Sequence, residues 1–461
     1  MELDRATMRA MGYAVVDRLV ERITQLDGEP AWRGATRDQL ERALREPPPG
    51  DPQDFAILLD RLYADVLSYA ARVDHPRFLA FVPGCPTWPG ILADFIAAGH
   101  NIFQGTWLGS SGPSALELVV LDWFKEWVGY PAEAAGLLSS GGSAANLTAL
   151  ACARAPLSPE DQHRAVVYFS AESHSSVGKA ARILGFEREL VRAIAPDADQ
   201  RLPLDRLHSA VAQDRAHGLL PLVVIANAGT TSTGAIDPLP ELAHFTRQHD
   251  LWLHVDAAYG GFVVLTERGR TWLRGLELAD SITLDPHKWL YQPFEAGCLL
   301  VRDGDNLERA FHALPDYLQD TAVSGQEVNF GDRGVQLTRS ARALKIWLSL
   351  QYFGLAAFRA AIDQSLDLTV YAQQRIEQSP AFELLTPAKL GIVCFRRIWE
   401  VPEPELEQRN IGLVKRLGES GIGMISSTRA LGRYALRVCI LNHRTSRADV
   451  DRVLSWLESA Y

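Results

Sequence analysis

The opening residues alternate apolar and charged positions with helical spacing. Apolar side chains recur every three or four residues between positions 8 and 23, which predicts an amphipathic helix. The proline-rich residues 46–52 cannot continue a helix and separate it from a second helical stretch at 55–72. The apolar positions of the first helix are Met8, Met11, Val15, Leu19 and Ile23. Residues 1–82 are therefore predicted to form an N-terminal helical segment.

Short apolar runs alternate with helical stretches through residues 83–355. The clearest runs lie at 165–169, 222–226, 251–255 and 298–301. Continuous apolar strands that alternate with helices are typical of an α/β fold, in which a mainly parallel sheet is covered by helices on both faces. Ligands of such sheets bind at the carboxyl ends of the strands. This segment is predicted to be the large, ligand-binding domain.

Residues 356–461 change to a pattern of helix, strand, helix, strand and helix. The two strands are expected at 390–395 and 434–439. Ser446 and Asp449 have the spacing of a capping box and are expected to begin the last helix. The pattern predicts a small C-terminal α/β domain.

Composition and charge argue against several classes of partner. The 461 residues carry a net charge of −10 and no cluster of Lys and Arg, which disfavours nucleic acid and anionic membranes. No apolar run approaches about 18 residues and the first residues lack a secretory pattern, so a cytoplasmic protein is expected. Five scattered cysteines favour buried free thiols. His244 and His249 lack the spacing of a zinc pair, and no metal site is expected.

Two ionisable residues point to a cofactor. Lys288 lies in Asp-Pro-His-Lys-Trp, and Asp256 lies 32 residues upstream in His-Val-Asp-Ala-Ala-Tyr. Pyridoxal phosphate needs a lysine amine to form a Schiff base with its aldehyde, and a carboxylate that keeps its ring nitrogen protonated. Taken singly, Lys288 fits a solvated position and Asp256 fits a helix cap or an ion pair. Together they indicate a pyridoxal phosphate site.

A turn rich in small residues follows an apolar segment and leads into a predicted helix at 147–154. Gly141, Gly142 and Ser143 would let backbone N–H groups approach an anion at the amino end of that helix. Such a turn more often only separates a strand from a helix. Together with Lys288 and Asp256, however, it favours a phosphate site. His174 follows a predicted strand, where its ring could stack on a cofactor or bond to backbone as a loop histidine.

Several motifs occur in a fixed order along the chain. They are His75-Pro76-Arg77-Phe78, Ser140-Gly141-Gly142-Ser143, His174-Ser175-Ser176, Gly229-Thr230-Thr231, His254-Val255-Asp256-Ala257-Ala258-Tyr259, Pro286-His287-Lys288-Trp289 and Tyr317. In this order they resemble the group II pyridoxal-phosphate-dependent decarboxylases, most closely the aromatic L-amino-acid branch, over nearly the full length. The resemblance implies fold type I, with a mainly parallel seven-stranded sheet, and a homodimer with shared active sites.

The resemblance also implies roles for residues of this chain. Lys288 would form the Schiff base with pyridoxal 5'-phosphate, Asp256 would hold the ring nitrogen, and His174 would stack on the ring. Tyr317 would protonate the substrate carbanion after carbon dioxide leaves. Residues implied to surround the phosphate or the ring are Gly141, Gly142, Ser143, Thr230, Ala258 and His287. The implied reaction is decarboxylation of an aromatic or bulky L-amino acid through an external aldimine and a quinonoid intermediate.

Departures from the family pattern concern the substrate more than the cofactor. Asp285 stands where animal and plant relatives usually have Asn, and we expect it to orient other groups, because a carboxylate beside a phosphate is unfavourable. In the implied substrate pocket, Gly105 replaces a bulky aromatic, Phe103 a smaller aliphatic and Gly84 a threonine. Trp88 is a further candidate for the pocket. These changes predict a pocket of different shape, compatible with a larger one, although core packing explains the aromatics equally well.

Three interpretations of function follow. The first is decarboxylation of an aromatic amino acid, since no cationic anchor for a glutamate-type substrate is visible. The second is a pyridoxal phosphate enzyme with a redirected outcome, either decarboxylation-coupled oxidative deamination or carbon–sulfur β-elimination of a bulky amino acid. The third is a non-catalytic protein that uses the fold as a scaffold.

Overall fold

The computed structural model describes residues 1–313, 316–321 and 326–460, without the side chains of residues 316–318. Its α-helices are α1 (Arg5–Thr24), α2 (Arg37–Leu44), α3 (Phe55–Asp65), α4 (Trp88–His100), α5 (Trp107–Val128), α6 (Gly142–Arg154), α7 (Pro159–Gln162), α8 (Ser175–Ile183), α9 (Leu204–Ala216), α10 (Leu239–Gln248), α11 (Glu267–Trp272), α12 (Asp305–Phe311), α13 (Ala343–Phe353), α14 (Leu355–Glu377), α15 (Glu403–Ser420) and α16 (Arg447–Ser459). Its strands are β1 (Phe78–Leu79), β2 (Ala135–Ser139), β3 (Ala165–Ser170), β4 (Val191–Ile194), β5 (Leu220–Asn227), β6 (Trp252–Asp256), β7 (Ser281–Leu284), β8 (Gly297–Val301), β9 (Phe382–Lys389), β10 (Ile392–Arg397), β11 (Met424–Ala430) and β12 (Arg433–Cys439).

Seven strands form the large sheet, in the order β2-β8-β7-β6-β5-β3-β4. The strands from β7 through β4 in this order are mutually parallel, whereas β8 runs antiparallel to both β7 and β2. The predicted α/β fold with a mainly parallel seven-stranded sheet is confirmed. The parallel strands therefore end together at one edge of the sheet.

Helices cover both faces of this sheet, as the continuous apolar strands predict. Val166 of β3 belongs to a core cluster with Leu242 of α10, whereas the next residue, Val167, belongs to a second cluster with Val177 of α8. All four side chains are fully buried. Because neighbouring residues of a strand point to opposite faces, both faces are packed. The five cysteines are likewise buried with free thiols, as predicted.

The C-terminal sheet has five strands in the order β1-β11-β12-β10-β9. Strands β9 to β12 are antiparallel to their neighbours, while Phe78 and Leu79 of β1 pair in parallel with β11. Residues of α14, α15 and α16 pack with this sheet in one core cluster. The predicted capping box of Ser446 and Asp449 is present at the start of α16.

The N-terminal segment contains α1, α2 and α3. The helix predicted between positions 8 and 23 is α1, but the second prediction, helix over 55–72, is wrong at its end, because α3 stops at Asp65 and a 3-10 turn follows at Leu67–Tyr69. No side chain of α1 or α3 is fully buried, and apolar residues such as Met8 and Leu58 are exposed. Among the helices that the structure describes, none combines the length and apolar content needed to cross a membrane.

Candidate active site

The carboxyl edge of the parallel strands carries the candidate site. Asn227, Asp256 and Thr283 lie side by side in register near the ends of β5, β6 and β7. A cavity of about 320 Å³ opens beside them, within the size range of ligand pockets. The predicted site residues that line it are Gly141, Gly142, Ser143, His174, Thr230, Asp256, Ala258, His287 and Lys288.

The first turn of α6 forms one end of the cavity. A Cβ added to Gly142 would lie 2.9 Å from the Cβ of Ala258, and one added to Gly297 would lie 2.4 Å from the Cα of Gly141. Glycine is therefore required, because these segments approach each other too closely for side chains. The first N–H groups of a helix have no partners within it, and the helix dipole favours an anion there. The turn can receive a phosphate.

Asp256 is 8% exposed, and two donors orient its carboxylate toward the cavity. The side-chain amide of Asn146 donates to Oδ2 at 2.8 Å, and the backbone N–H of Ala258 donates to Oδ1 at 3.2 Å. Hydrogen bonds to a charged acceptor are stronger than neutral ones. The carboxylate is thus fixed where it can hold a protonated ring nitrogen.

Asn146 is a site residue that sequence reasoning missed. Its Oδ1 accepts hydrogen bonds from the hydroxyl of Thr283 at 2.7 Å and from Nε2 of His254 at 3.0 Å. Burial lowers the pKa of His254, so the ring is neutral, and its Nδ1 lies 2.8 Å from the hydroxyl of Ser281. These contacts fix the orientation of the amide, which must point its NH2 group at Asp256. The sequence offers one signal that could have identified Asn146, which is its position as a polar residue one turn into the helix that follows the glycine turn.

The same amide reaches His174 through Ser176. Nδ2 of Asn146 donates to the Ser176 hydroxyl at 3.0 Å, and that hydroxyl lies 2.9 Å from Nδ1 of His174. Nδ1 also accepts the backbone N–H of Ser176 at 3.2 Å, which fixes the orientation of the ring. The imidazole caps α8 and is exposed on the cavity. Its face is available for stacking.

The loop of Lys288 brings three ionisable groups together. The backbone N–H of Lys288 donates to the carbonyl of Asp285 at 2.9 Å, and this turn places the two side chains on one side. Nζ of Lys288 lies 2.9 Å from Oδ2 of Asp285, and Nε2 of His287 lies 3.4 Å from the same oxygen. Burial lowers the pKa of His287, while Asp285 acts in the opposite direction. The carboxylate of Asp285 therefore forms an ion pair with the Lys288 amine.

Thr230 and Tyr259 form the side of the cavity that faces the C-terminal sheet. The Thr230 hydroxyl accepts the backbone N–H of Ala235 at 3.1 Å, which leaves its methyl and hydroxyl in a fixed position. The Tyr259 hydroxyl accepts the N–H of Gly391 at 3.0 Å, in the turn between β9 and β10. Burial raises the pKa of Tyr259 well above its ordinary value. Tyr259 is thus a neutral phenol that joins the large sheet to the C-terminal sheet.

The predicted substrate residues Trp88, Phe103 and Gly105 do not line this cavity in a single chain. Trp88 lines an apolar groove beside α1 instead. A Cβ added to Gly105 would lie 2.5 Å from Cζ of Phe103 and 2.2 Å from the carbonyl oxygen of Leu337. The phenylalanine ring therefore fills the space that glycine leaves, which argues against an enlarged pocket at this point.

Gly84 and Tyr317 are the two remaining predicted site residues. Gly84 lies against the lysine loop, since its N–H donates to the carbonyl of His287 at 3.2 Å and a Cβ there would lie 2.2 Å from the carbonyl oxygen of Lys288. Its backbone supports the loop, but it does not line the cavity. The side chain of Tyr317 lies outside the described residues.

A pyridoxal phosphate molecule fits the groups that converge here. Lys288 offers an amine for the aldehyde, Asp256 a carboxylate for the ring nitrogen, His174 a ring for stacking, and the start of α6 a set of N–H groups for the phosphate. The close approach of Gly142 to Ala258 keeps that phosphate end free of side chains. Together with the seven-stranded sheet, these groups define a pyridoxal-phosphate-dependent enzyme of fold type I.

Comparisons with known proteins place the chain within that class. Residues 39–398 match the family described as Pyridoxal-dependent decarboxylase conserved domain. The aromatic-L-amino-acid decarboxylase of Bacillus atrophaeus is 40% identical over 98% of this chain and 95% of its own length. A phenylacetaldehyde synthase of Arabidopsis thaliana is 29% identical over 95% of this chain and 92% of its own. The crystal structure of Oryza sativa TDC with PLP and tryptamine has a TM-score of 0.94 at 27% identity, over 99% of this chain and 98% of that chain.

The chain belongs to the pyridoxal-phosphate-dependent decarboxylase family, the group that its motifs resemble. It is an amino-acid decarboxylase with pyridoxal phosphate as its cofactor.

Proposed function

We propose that this protein decarboxylates aromatic L-amino acids. The observation that carries the proposal is the convergence of Lys288, Asp256 and the first turn of α6 on one cavity. The substrate class is supported by 40% identity to a protein named aromatic-L-amino-acid decarboxylase.

The residues of this chain act around the cofactor as follows. Lys288 would attach it covalently, His174 would offer its ring for stacking, and Asp256 would hold a proton at its ring nitrogen, where a fixed negative charge has most effect. When bound, the cofactor supplies a sink for the electrons of the breaking bond between Cα and the carboxylate. Residues assigned to the phosphate are Gly141, Gly142, Ser143 and His287, and those assigned to the ring surroundings are Thr230 and Ala258.

The fate of the substrate carbon depends on a proton donor. We assign this role to Tyr317, which would deliver a proton to Cα after carbon dioxide leaves, so that the product is an amine. Aldehyde formation is the second candidate outcome, because a relative that is 29% identical is named phenylacetaldehyde synthase. The two outcomes share every step up to the loss of carbon dioxide and differ in whether the proton arrives before oxygen.

A homodimer in the cytoplasm is the proposed working form. Apolar residues of α1 and α4, with Phe55 of α3, line a groove of about 360 Å³ that nothing in the described chain fills. Phe95 in this groove is 64% exposed, and large exposed apolar patches mark interaction surfaces. We propose residues 1–82 as the dimerisation segment, 83–355 as the cofactor-binding domain and 356–461 as the small domain. Gly84, Trp88, Phe103 and Gly105 remain proposed substrate-pocket residues, completed across the dimer.

Product analysis tests the proposed function. The purified protein is incubated with tryptophan, tyrosine, phenylalanine and S-substituted cysteines, and the products are quantified. We expect carbon dioxide and amine in equal amounts from an aromatic amino acid, and no turnover by Lys288→Ala, which lacks the attaching amine. Aldehyde with peroxide would favour the second candidate, and pyruvate with ammonia would indicate β-elimination. If the protein does not bind the cofactor, both enzymatic candidates are contradicted, and only the interpretation as a non-catalytic scaffold remains.

A further inference from the structure

One carboxylate oxygen of Asp285 contacts the Lys288 amine, and the other has no hydrogen-bond partner among the described residues. Oδ2 lies 2.9 Å from Nζ of Lys288, whereas Oδ1 accepts no hydrogen bond from any residue in the described ranges. The side chain is only 3% exposed, so bulk water does not compensate. Asp285 therefore presents a buried acceptor oxygen to the ligand cavity.

The same carboxylate lies beside the first turn of α6. A Cβ added to Gly142 would lie 3.1 Å from Oδ2 of Asp285, and both residues line the cavity. The proposed function places the cofactor's phosphate at this turn, and the inference rests on that function. Two anionic groups repel where water is excluded, so loss of the negative charge of Asp285 would favour a phosphate at this turn.

The lysine has the complementary requirement. An ammonium group has no free electron pair, so Lys288 cannot attack an aldehyde until it loses a proton. Asp285 is the charged partner within hydrogen-bonding distance of that ammonium. A single transfer between the two groups would meet both requirements.

We propose that Asp285 takes the Nζ proton of Lys288 when the phosphate enters the site. An N–H bond of the lysine breaks and an O–H bond forms on the aspartate. The nitrogen keeps the electron pair, with which it could then bond to an aldehyde carbon, whose oxygen would leave as water. Both groups become neutral, and the new O–H can donate to the phosphate. No other reactant is needed, because the proton moves within an existing ion pair. Asp285 is thus the proton acceptor for covalent attachment of the cofactor.

The other ionisable groups around this carboxylate do not supply the proton as readily. His287 is on the same loop, 3.4 Å away, and burial lowers its pKa, so it is a neutral ring. Cys298 of β8 stays protonated, because burial raises the pKa of its thiol well above the ordinary value. The first turn of α6 carries only Gly, Ser and Ala side chains. Ionisable residues elsewhere around the cavity are His174, Asp256 and Tyr259.

Infrared difference spectroscopy of the apoenzyme tests the transfer directly. Inorganic phosphate, which carries no aldehyde, is added to the wild type, to Asp285→Asn and to Asp250→Asn. Asp250 is an exposed carboxylate before β6 with φ of 50°, which Asn also tolerates, so this variant is the matched control. We expect the C=O band of a protonated carboxylic acid to appear in the wild type and in Asp250→Asn, but not in Asp285→Asn. A wild type without this band overturns the proposal, even if the Asp285 variant does not fold.

Proton counting during cofactor binding gives the second test. Titration calorimetry in buffers of different ionisation enthalpy should find that Asp285→Asn releases one proton more per site than the wild type, because its amide cannot keep the lysine proton. The ratio of variant to wild-type Kd should accordingly fall tenfold for each unit of rising pH. Equal proton counts would overturn the proposal. Amine production by the wild type is measured separately, so an active decarboxylase with equal counts would refute only the role of Asp285.

Discussion

Asn146 is the residue on which the orientation of the site most depends. It donates to Asp256 and to Ser176, and it accepts from Thr283 and His254. We predict that Asn146→Ala lowers the free energy of unfolding by about 3 kcal/mol, since buried partners lose their hydrogen bonds. It should also weaken cofactor binding by roughly tenfold or more, about 1.4 kcal/mol, because Asp256 is no longer held. Chemical denaturation and a fluorescence titration with the cofactor measure the two effects.

Asn410→Ala is the matched control for that variant. Asn410 is also 1% exposed, and its amide bonds to the backbone of Arg397 and Leu406 in the small domain. It should lose a comparable amount of stability and keep its affinity for the cofactor. If Asn146→Ala binds the cofactor as tightly as Asn410→Ala, Asn146 has only a structural role.

The chemistry of individual residues decides which of them could be predicted from sequence. Lys288 and Asp256 were predictable because a Schiff-base amine and a ring-nitrogen carboxylate are both required. Asn146 was not, since its role depends on contacts with strands more than a hundred positions away. Likewise, the fit of the Phe103 ring over Gly105 depends on packing that residue types alone do not specify.

At the scale of elements, apolar runs located six of the twelve strands that the structure describes. The run at 165–169 became β3, and the run at 251–255 became β6, which ends on Asp256. The end of α3 and the strands β1, β2, β4, β7, β9 and β11 were not predicted. A strand of two residues is too short to show an alternating pattern. Strand β1 forms because Phe78 and Leu79 pair with β11, which lies far along the chain.

The groove between α1, α3 and α4 leads to a prediction about assembly. Phe95 of α4 is 64% exposed in this groove, and burying one such ring in an interface stabilises it by about 1.5–3 kcal/mol. We predict that Phe95→Asp converts the proposed dimer to monomer at micromolar concentration, because it would also bury an unpaired charge. Light scattering after gel filtration measures the mass.

Leu431→Asp provides the control for this element. Leu431 is 45% exposed at the turn between β11 and β12, and its φ of 52° is one that Asp tolerates better than Leu. This variant should remain dimeric and active. A dimeric Phe95→Asp protein would mean that the groove is not the dimer interface.

At the scale of the whole molecule, the proposed dimer would complete the proposed substrate pocket. The cofactor-binding groups lie in one cavity, but Phe103 and Trp88 lie outside it. In an isologous dimer, a residue that lies outside the site of its own chain can line the site of the second chain. The proposed shared site therefore predicts that two different inactive chains can restore each other.

Subunit mixing provides the measurement. Lys288→Ala and Phe103→Ala should each be nearly inactive as homodimers, the first without its amine and the second without a wall of the substrate pocket. After unfolding and refolding together, half of the dimers are mixed, and each mixed dimer has one site with both residues intact. Activity should recover to about a quarter of the wild-type value. Two differently tagged Lys288→Ala preparations, mixed in the same way, should recover none. If mixed dimers form but no activity returns, Phe103 and Lys288 serve the same chain's site, and the ring of Phe103 acts through its packing on Gly105.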